Sequence, residues 1–465
     1  MTEHVVGLDV GSTYLKAMLL TTDGEQVGEA RRRTPWHNLP GGRTETTAAE
    51  VLTAVTDLLA ELAEMAGGGP VRAIGITGMA EAGALVDDAG AVATPVVAWF
   101  DPRGGEEIAR LDPRFRGEFP RRTGLPVSGL ATFAKLLHFR ANGVSVAGGQ
   151  WLNLPEYVAH ALGGGRFGEP SLRSRTGLLD QDTDAAWAEP LAVLGVPAEF
   201  LPPARNAGEP WGVATRRVPP AFVGAVLTVA GHDHLVASVG AGCGAPSDLY
   251  NSMGTAEALV RVLDGTLDAD TRGRLAAHHV NVGRHLLPGR GVMIAGVKTG
   301  LLLRRLLQLV GVTDAAGRAG LDERVMAMAD AGAGAAHALH VTGAENSDGV
   351  LSVRVDGDGL SPELFFAVAL EHCTDTLADV LRLMDAEVGP PGRTVLSGGW
   401  SSMRSVRRAR ARIMPGLQIS DRAEGTAYGA ALLGAYAGLD VPTGCDIATF
   451  VSEFSSPQLE KGCSV

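Results

Sequence analysis

The chain has 465 residues, which is too long for one hydrophobic core and predicts two domains of about 200 residues each. Hydrophobic residues make up 45% and charged residues 20%, as in an ordinary soluble globular enzyme. The formal net charge of -12 argues against a nucleic-acid groove, and no apolar run reaches the length of a membrane span.

Four cysteines are widely spaced and form no CxxC pair, which indicates neither a disulfide framework nor a zinc site. The N-terminus enters an apolar segment within four residues and has no basic and apolar leader. We therefore expect a cytoplasmic protein that binds a small molecule and neither nucleic acid nor membrane. The sequence leaves a homodimer open.

Two apolar runs, residues 4–10 and 14–20, predict a β-hairpin with a polar, glycine-containing tip. Backbone N–H groups and hydroxyls at such a tip can hold phosphate oxygens, and the acid at the end of the first strand can hold hydrated Mg²⁺. A lysine in the second strand would add positive charge. The alternative is a simple hairpin turn. The candidate residues for phosphate and metal are Asp9, Gly11, Ser12, Thr13 and Lys16.

Two later strands of the first half end in side chains that suit a small polar ligand. Residues 71–77 predict a central strand, and the carboxylate of Glu81 beyond it could accept hydrogen bonds from hydroxyl groups. The next apolar run predicts a strand whose end carries Trp99, for stacking on an apolar ligand face, and Asp101. The alternatives are core packing for Trp99 and an ion pair between Asp101 and Arg103.

Residues 120–205 predict an inserted helical region, because short amphipathic stretches alternate there with glycine and proline breaks. A proline-rich segment then leads to a domain boundary, which we place near residue 224. The predicted domains are residues 1–224 and 225–465.

The apolar run at residues 225–230 predicts a buried strand that delivers Asp233 on a glycine-containing turn. This carboxylate lies between His232 and His234 and precedes small residues, where a backbone can approach a ligand closely. We interpret Asp233 as a general base. The alternatives are a helix cap for Asp233 and turn roles for the histidines, while zinc is disfavoured because no Cys or acidic cluster completes a site.

The second half repeats the plan of the first hairpin. Residues 248–260 predict a strand, a tip at Gly254 and Thr255, and a second strand. The two tips would face each other across a cleft as paired phosphate loops. This internal repetition is a more specific signal than either tip alone.

A later predicted strand runs into Gly398 and Gly399, where the backbone could pass close under an adenine and ribose. Residues 424–431 begin a helix rich in small residues, which suits tight packing beside a nucleotide. A strand-to-helix turn and a plain core helix are the alternatives.

In their order along the chain, these segments resemble the FGGY family of carbohydrate kinases, within the actin-like ATPase superfamily. Each segment is short, but seven of them in the family's order make a specific signal that spans nearly the whole chain. The matching segments are residues 7–13, 75–78, 99–103, 231–234, 253–255, 397–399 and 425–431.

The resemblance implies an α/β fold of two ribonuclease-H-like domains with ATP and a sugar in the cleft between them. It implies that Asp233 takes a proton from a substrate hydroxyl that attacks the γ-phosphorus of MgATP. By the same resemblance Asp9 binds Mg²⁺ and phosphate, Gly254 and Thr255 bind phosphate, and Gly398 and Gly399 bind adenosine. The candidate sugar-binding residues are Glu81, Trp99, Asp101, His232 and Asp233.

Departures from the family leave the substrate open. Glu81 resembles an acid that binds substrate in the glycerol kinase branch, but Ala80 replaces the neighbouring arginine of that branch. The Gln-Met-His signature of xylulose kinases is absent from residues 78–81. A ketose, a deoxyketose or a small polyol is expected. The rival functions are a nucleotide-binding sensor or pseudokinase on the same fold, without sugar phosphorylation, and an ATPase of chaperone or phosphatase type.

Overall fold

The computed structural model describes residues 1–254, 256–328, 339–342, 344, 352–356, 358, 360–420, 422 and 424–455. Two six-stranded sheets dominate the fold, the first built largely from the first half of the chain and the second from the second half. Within the described residues, no helix has the length and apolar character that crossing a membrane requires.

The strands are short to medium in length. They are β1 (His4–Val10), β2 (Tyr14–Thr21), β3 (Gln26–Arg33), β4 (His37–Asn38), β5 (Thr44–Thr46), β6 (Val71–Gly78), β7 (Gly83–Asp87), β8 (Val96–Val97), β9 (Gly149–Asn153), β10 (Leu179–Asp180), β11 (Ala185–Ala186), β12 (Gly212–Val213), β13 (Val226–His232), β14 (Asp248–Met253), β15 (Glu257–Asp264), β16 (Asn281–Arg284), β17 (Arg290–Val297), β18 (Leu339–Thr342), β19 (Ser352–Val355), β20 (Arg393–Ser397) and β21 (Leu417–Ile419).

The helices connect the strands and cover the sheets. They are α1 (Ala48–Met65), α2 (Gly105–Ala109), α3 (Pro113–Thr123), α4 (Thr132–Ala141), α5 (Leu154–Leu162), α6 (Pro170–Arg173), α7 (Ala188–Leu194), α8 (Asp233–Gly240), α9 (Ala269–Ala277), α10 (Thr299–Leu309), α11 (Ala315–Ala327), α12 (Pro362–Val388), α13 (Arg404–Ala411), α14 (Gly425–Gly438) and α15 (Ile447–Ser455), with short 3₁₀ turns at Pro40–Gly42, Ala198–Phe200, Pro220–Phe222 and Gly399–Ser402.

The first sheet has the strand order β12-β13-β6-β1-β2-β3. Every residue of β1 is buried, as its continuous apolar sequence predicts, and β1 pairs antiparallel with β2 and parallel with β6. On the other side of β6, β13 pairs parallel with it. Thr77 of β6 is the register partner of both Asp9 and Gly231. The ends of three parallel strands therefore meet at one edge of the sheet.

The second sheet has the strand order β16-β17-β15-β14-β20-β21 and repeats this plan. The strand β14 pairs antiparallel with β15, as β1 does with β2, and parallel with β20, as β1 does with β6. The predicted second hairpin and the internal repetition are confirmed.

Helix α14 comes late in the chain but packs on the first sheet. A Cβ added at Gly7 would lie 1.8 Å from the Ala427 carbonyl oxygen, and one at Gly75 would lie 1.8 Å from that of Ala430. The helix backbone therefore rests on the bare backbone of β1 and β6, which confirms the tight packing that its small residues predict. Because α14 belongs to the second half, it joins the two halves.

The inserted region contains helices α4 to α7 and the end of α3, and also the short strands β9 to β11, so it is not purely helical. It touches the second sheet. Gln181 Nε2 donates to the Val282 carbonyl at 3.2 Å, and Arg284 Nη2 donates to the Gln181 carbonyl at 2.9 Å. The insertion therefore forms a second connection between the halves.

Two predicted boundaries differ from the observed elements. The strand β13 follows residue 224, yet it is hydrogen-bonded into the first sheet. We therefore propose a domain boundary near residue 240, where α8 ends, in place of the one predicted near residue 224. The strand predicted through Trp99 stops at Val97, because the Asp101 N–H donates to the Ala98 carbonyl at 3.0 Å and closes a turn.

Candidate active site

The tip of the first hairpin is held by residues that follow β3. Thr34 Oγ1 donates to the Gly11 carbonyl at 2.7 Å, and Trp36 Nε1 donates to the Ser12 carbonyl at 2.6 Å. The Thr34 N–H also donates to the Thr13 carbonyl, at 3.2 Å. The predicted phosphate loop therefore has a fixed backbone before any ligand arrives.

Asp9 lies near the end of β1, opposite Lys16 in the hairpin register. Burial raises its pKa well above the ordinary value, the Asp233 carboxylate raises the pKa further, and the Lys16 ammonium opposes both effects. Its Oδ1 is buried without a hydrogen-bond partner among the described residues. A carboxylate oxygen of this kind, close to a second carboxylate, suits a hard divalent cation.

The donor set suits Mg²⁺ in particular. Within the described parts of the chain, no three His, Cys, Asp or Glu side chains converge on one point to form a closed metal cage. Mg²⁺ usually keeps several waters and binds proteins through one or two carboxylates together with substrate phosphates. Asp9 supplies one such carboxylate, and the charge of the Asp233 carboxylate acts on it.

Asp233 is the first residue of α8 and directly follows β13. Its Oδ1 accepts from the His234 N–H at 2.7 Å and lies 3.2 Å from His232 Nε2. Burial raises the pKa of Asp233, while the His234 side chain and N–H and the Lys16 ammonium oppose the rise. The side chain keeps 22% of its surface exposed. A reachable carboxylate with a raised pKa is suited to accept a proton.

The turn that presents Asp233 requires glycine. Gly231 has φ +112°, and a Cβ there would lie 2.9 Å from Ser171 Oγ. Thr77 Oγ1 donates to the Gly231 carbonyl at 2.7 Å, and the His232 N–H donates to Ser171 Oγ at 3.0 Å. Side chains from two other segments thus fix the direction in which Asp233 points.

Glu81 lies beyond β6 on a strained backbone, with φ +63°, which is uncommon for a residue other than glycine. Arg175 Nε donates to its Oε1 at 2.6 Å, and Arg175 Nη2 lies 2.5 Å from the same oxygen. The same guanidinium lies near His232. Burial lowers the pKa of His232 well below its ordinary value, and the charges of His234 and Arg175 lower it further. Glu81 is thereby linked through Arg175 to the surroundings of Asp233.

Lys135 of α4 is almost fully buried and holds the loop that carries Trp99. Its Nζ donates to the Trp99 carbonyl at 3.1 Å and to the Gly129 carbonyl at 2.7 Å. Burial lowers the pKa of Lys135 to about 8, against the opposing charges of Glu81 and Asp101. Lys135 therefore fixes the loop that carries Trp99, and the charge of Glu81 acts on its ammonium group.

Asp101 forms the ion pair that the sequence leaves as its alternative. Its Oδ1 accepts from Arg103 Nε at 2.9 Å, and its Oδ2 accepts from Arg103 Nη2 at 2.9 Å and from the Thr44 N–H at 2.6 Å. The side chain is fully buried. Because both oxygens are used inside the protein, the structure does not support Asp101 as a substrate ligand, and the residue instead anchors the loop after Trp99.

A cavity of about 270 Å³ joins the two halves next to the first hairpin. A second, of about 420 Å³, shares Gly254 and Gly399 with it and extends along α10. Gly398 has φ +92°, and a Cβ there would lie 2.4 Å from the Met253 carbonyl oxygen, so this glycine permits close contact with the second hairpin. Thr255 lies outside the described residues. The first cavity is lined by, among others, Lys16, Gly254, Gly398, Gly399, Glu424 and Gly425.

Three charged residues of the site were not predicted from the sequence. Lys135 could have been found from the sequence, because a charged residue there interrupts the apolar stretch of a predicted helix. Glu424, which pairs with Lys16, gives a weaker indication, because it only precedes the helix rich in small residues. No feature of the sequence points to Arg175, because its partner is distant in the sequence.

Comparison with known proteins identifies the family of the chain. Residues 4–240 match the model of the N-terminal domain of the FGGY family of carbohydrate kinases. Over 272 residues the chain is 28% identical to a glycerol kinase of Xanthobacter autotrophicus, a match that covers 55% of this chain and 53% of that protein. The matched region thus spans about half the length of the curated relatives.

Two solved structures share the fold over nearly the whole chain. The xylulose kinase from Rhodospirillum rubrum has a TM-score of 0.82 at 22% identity, covering 97% of this chain and 92% of that one. The gluconate kinase from Lactobacillus acidophilus has a TM-score of 0.83 at 16% identity, covering 98% and 92%. They confirm the predicted α/β architecture of two actin-like ATPase domains. Since the family model matches more than half of the sequence, the chain belongs to the FGGY family of carbohydrate kinases.

Proposed function

We propose that the protein transfers the γ-phosphoryl group of ATP to a hydroxyl of a small sugar or polyol. The observation that carries this proposal is that Asp9 and the strand leading to Asp233 meet at one edge of the first sheet, on either side of Thr77. Lys16, the register partner of Asp9, lines a cavity together with Gly254 and Gly398. A proton acceptor, a magnesium site and phosphate-binding backbone are the parts that phosphoryl transfer to an alcohol requires. The names of the similar proteins, which are glycerol, xylulose and gluconate kinases, support the same reaction class.

In this proposal Asp233 is the general base. As the substrate oxygen bonds to the γ-phosphorus, the bond from that phosphorus to the bridging oxygen breaks, and ADP leaves with the electron pair. Asp233 accepts the hydroxyl proton. The contacts of Oδ1 with His234 and His232 orient the carboxylate, and we assign Oδ2 as the acceptor. Such a base is typically worth about 10²- to 10⁴-fold in rate.

Asp9 is the residue that would hold Mg²⁺, with Asp233 beside it. When bound, the ion supplies neutralisation of the charge on the phosphate oxygens. Lys16 adds positive charge from the neighbouring strand, and the backbone N–H groups of the two hairpin tips bind phosphate. The residues of these tips are Gly11, Ser12 and Thr13 in the first half and Gly254 and Thr255 in the second.

The adenosine and the sugar occupy opposite sides of Asp233 in this proposal. Gly398 and Gly399 bind the nucleoside, which extends into the larger cavity along α10. On the other side, Glu81 accepts a hydrogen bond from a substrate hydroxyl and Trp99 packs against the carbon face. His232, kept neutral by burial, completes the wall next to the base.

An ADP-release assay across ketoses, aldoses and polyols tests the proposal, with mass analysis of the products. We expect one chemical group of compounds to stimulate ADP release and to gain a single phosphate. ADP release at the same rate with and without every compound would favour the rival function of an ATPase of chaperone or phosphatase type. Nucleotide binding without any ADP release would favour a nucleotide-binding sensor or pseudokinase.

A further inference from the structure

Arg175 and Glu81 form an ion pair inside the proposed substrate site. Both guanidinium contacts, from Nε at 2.6 Å and from Nη2 at 2.5 Å, converge on Glu81 Oε1. The Arg175 and Glu81 side chains are 12% and 8% exposed. The pair therefore keeps only a small exposed surface and is shielded from bulk water, where surface ion pairs lose most of their strength.

The backbone holds both partners in place. Glu81 has φ +63°, a strain that persists only where the surrounding structure fixes it. Arg175 lies in a tight turn, in which its N–H donates to the Leu172 carbonyl at 3.1 Å and Thr176 Oγ1 donates to the Arg173 carbonyl at 2.7 Å. The pair is therefore built by two ordered segments rather than by two mobile surface side chains.

The guanidinium also lies toward the proposed base. Its charge acts on His232, whose Nε2 is 3.2 Å from Asp233 Oδ1. Arg175 is thus in contact with the acid that would bind a substrate hydroxyl, and its charge acts on the histidine beside the acid that would deprotonate one. No part of the proposed reaction so far uses it.

We propose that Arg175 is a specificity-determining residue, which with Glu81 forms a charge-balanced pair that selects uncharged sugars or polyols and rejects sugar acids. This inference rests on the proposed function, because it concerns the substrate of the same site.

The chemistry of the pair fits neighbouring hydroxyl groups. Oε2 of Glu81 takes no part in the pair and can accept a hydrogen bond from a hydroxyl group, while Nη1 of Arg175 takes no part in it and can donate a hydrogen bond to a hydroxyl oxygen. Two adjacent hydroxyls offer this donor and acceptor together. A substrate carboxylate would instead be repelled by Glu81 and Asp233, or would have to displace Glu81 from Arg175.

Lys135 is the other cation beside Glu81, and its ammonium group is already engaged. It donates to the carbonyls of Trp99, Gly129 and Leu130, at 3.1, 2.7 and 3.5 Å. Its three donors are therefore directed at the protein backbone rather than at a substrate. Arg175 thus remains the cation of this group that can contact substrate, and its charge is balanced by Glu81.

Calorimetric titration of the full-length protein without nucleotide tests the inference directly. The probes are matched pairs: glycerol with glycerate, xylitol with xylonate, and sorbitol with gluconate. Because a site built for hydroxyl groups leaves buried partners unpaired when the ligand does not match, we expect the preferred neutral compound to bind at least about 100-fold more tightly than its acid.

Two variants separate the roles within the pair. Glu81→Gln leaves the guanidinium unbalanced and should reduce the preference for the neutral compound at least about 10-fold, mainly through tighter binding of the acid. Arg175→Met should weaken the neutral compound at least about 10-fold and leave the acid excluded by Glu81, with Arg175→Lys intermediate. The exposed pair of Glu106 and Arg110 supplies matched controls, Glu106→Gln and Arg110→Met, which should change neither affinity.

The preference of the wild-type protein for the neutral compound over its acid tests the inference even where a variant does not fold. Binding of an acid as tightly as its neutral partner, or failure of every neutral compound to bind, would overturn the inference, as would an unchanged preference in folded Glu81→Gln. Selective binding of a neutral compound without phosphoryl transfer would refute the kinase proposal and leave the inference standing. Phosphorylation of sugar acids alone would support the kinase proposal and refute the inference about Arg175 and Glu81.

Discussion

Lys16 and Glu424 form an ion pair, with Lys16 Nζ 2.5 Å from Glu424 Oε2, that joins the first hairpin to the start of α14. The two side chains are 29% and 26% exposed and both line the smaller cavity. Their opposite charges act on the buried carboxylate of Asp9, whose pKa Lys16 lowers and Glu424 raises. The pair therefore contributes to the electrostatic balance at the proposed magnesium site, in which burial and Asp233 have the larger effects.

This electrostatic balance predicts how kcat/KM decreases at low pH, which is the acid limb of its pH profile. Burial raises the pKa values of both Asp9 and Asp233, and the proposed mechanism requires both to be ionised. We therefore expect kcat/KM to fall as the pH drops through an apparent pKa above the ordinary aspartate range, a value that belongs to the interacting pair.

Substitutions in the ion pair should move this limb in opposite directions. Lys16→Met removes a charge that lowers the pKa values of Asp9 and Asp233, so its acid limb should lie at higher pH. Glu424→Gln removes a charge that raises the pKa of Asp9, so its limb should lie at lower pH. Both are measured as kcat/KM against pH. Shifts of the same sign in the two variants would contradict this assignment.

Gly75→Ala should prevent α14 from seating on the first sheet. A Cβ at this position would lie 1.8 Å from the Ala430 carbonyl oxygen, so either the helix or the strand has to move. We expect the free energy of unfolding to fall by at least about 3 kcal/mol, measured by urea denaturation. The control is Gly117→Ala on the exposed face of α3, where a Cβ meets no atom within 4 Å and should stabilise by about 0.5–1 kcal/mol. Equal effects in the two variants would contradict the packing account.

The raised pKa of Glu169 predicts that the free energy of unfolding falls as the pH rises. Burial raises its pKa from 4.5 to about 8, against opposing hydrogen bonds from Ser171 and the Leu172 N–H. Between these pH values the folded state keeps a proton that the unfolded chain has released. Ionisation of this group therefore costs about 1.4 kcal/mol of folding stability per pH unit until the pH passes the folded-state pKa.

Glu169→Gln removes this titration. We expect the free energy of unfolding of the wild type, relative to the variant, to decrease by about 1.4 kcal/mol per pH unit between pH 5 and 8. Glu118→Gln on the exposed face of α3 is the control and should show no such slope. A difference between wild type and Glu169→Gln that does not change with pH would show that Glu169 is already ionised in the folded protein.

Local patterns predicted the strands and tips of the site well. The apolar runs around Asp9 fixed both strands of the first hairpin, and the similar runs around Gly254 fixed the second, because a hairpin is determined by neighbours in sequence. Asp233 was placed correctly at a strand end for the same reason. The run of small residues in α14 predicted tight packing, which the structure shows as the close contact of this helix with Gly7 and Gly75.

Contacts between distant segments could not be predicted from the sequence. Arg175 meets Glu81 across 94 positions of sequence, and the inserted region that carries it gave no periodic signal at that point. The membership of β13 in the first sheet depends on parallel pairing with β6, which no local pattern reveals. Asp101 had the right residue type for two roles, and only its contacts with Arg103 and Thr44 decide between them. The role of Thr255, the cytoplasmic location, the absence of a nucleic-acid partner and a homodimer stay predictions.

Single-turnover phosphoryl transfer by Asp233→Asn tests the central claim most directly, with MgATP affinity measured in parallel and Asp57→Asn on the exposed face of α1 as control. We predict that Asp233→Asn binds MgATP within about 3-fold of the wild type and transfers the phosphoryl group at least about 100-fold more slowly, while Asp57→Asn matches the wild type in both. A transfer rate in Asp233→Asn comparable to that of the wild type would contradict the assignment of Asp233 as the general base.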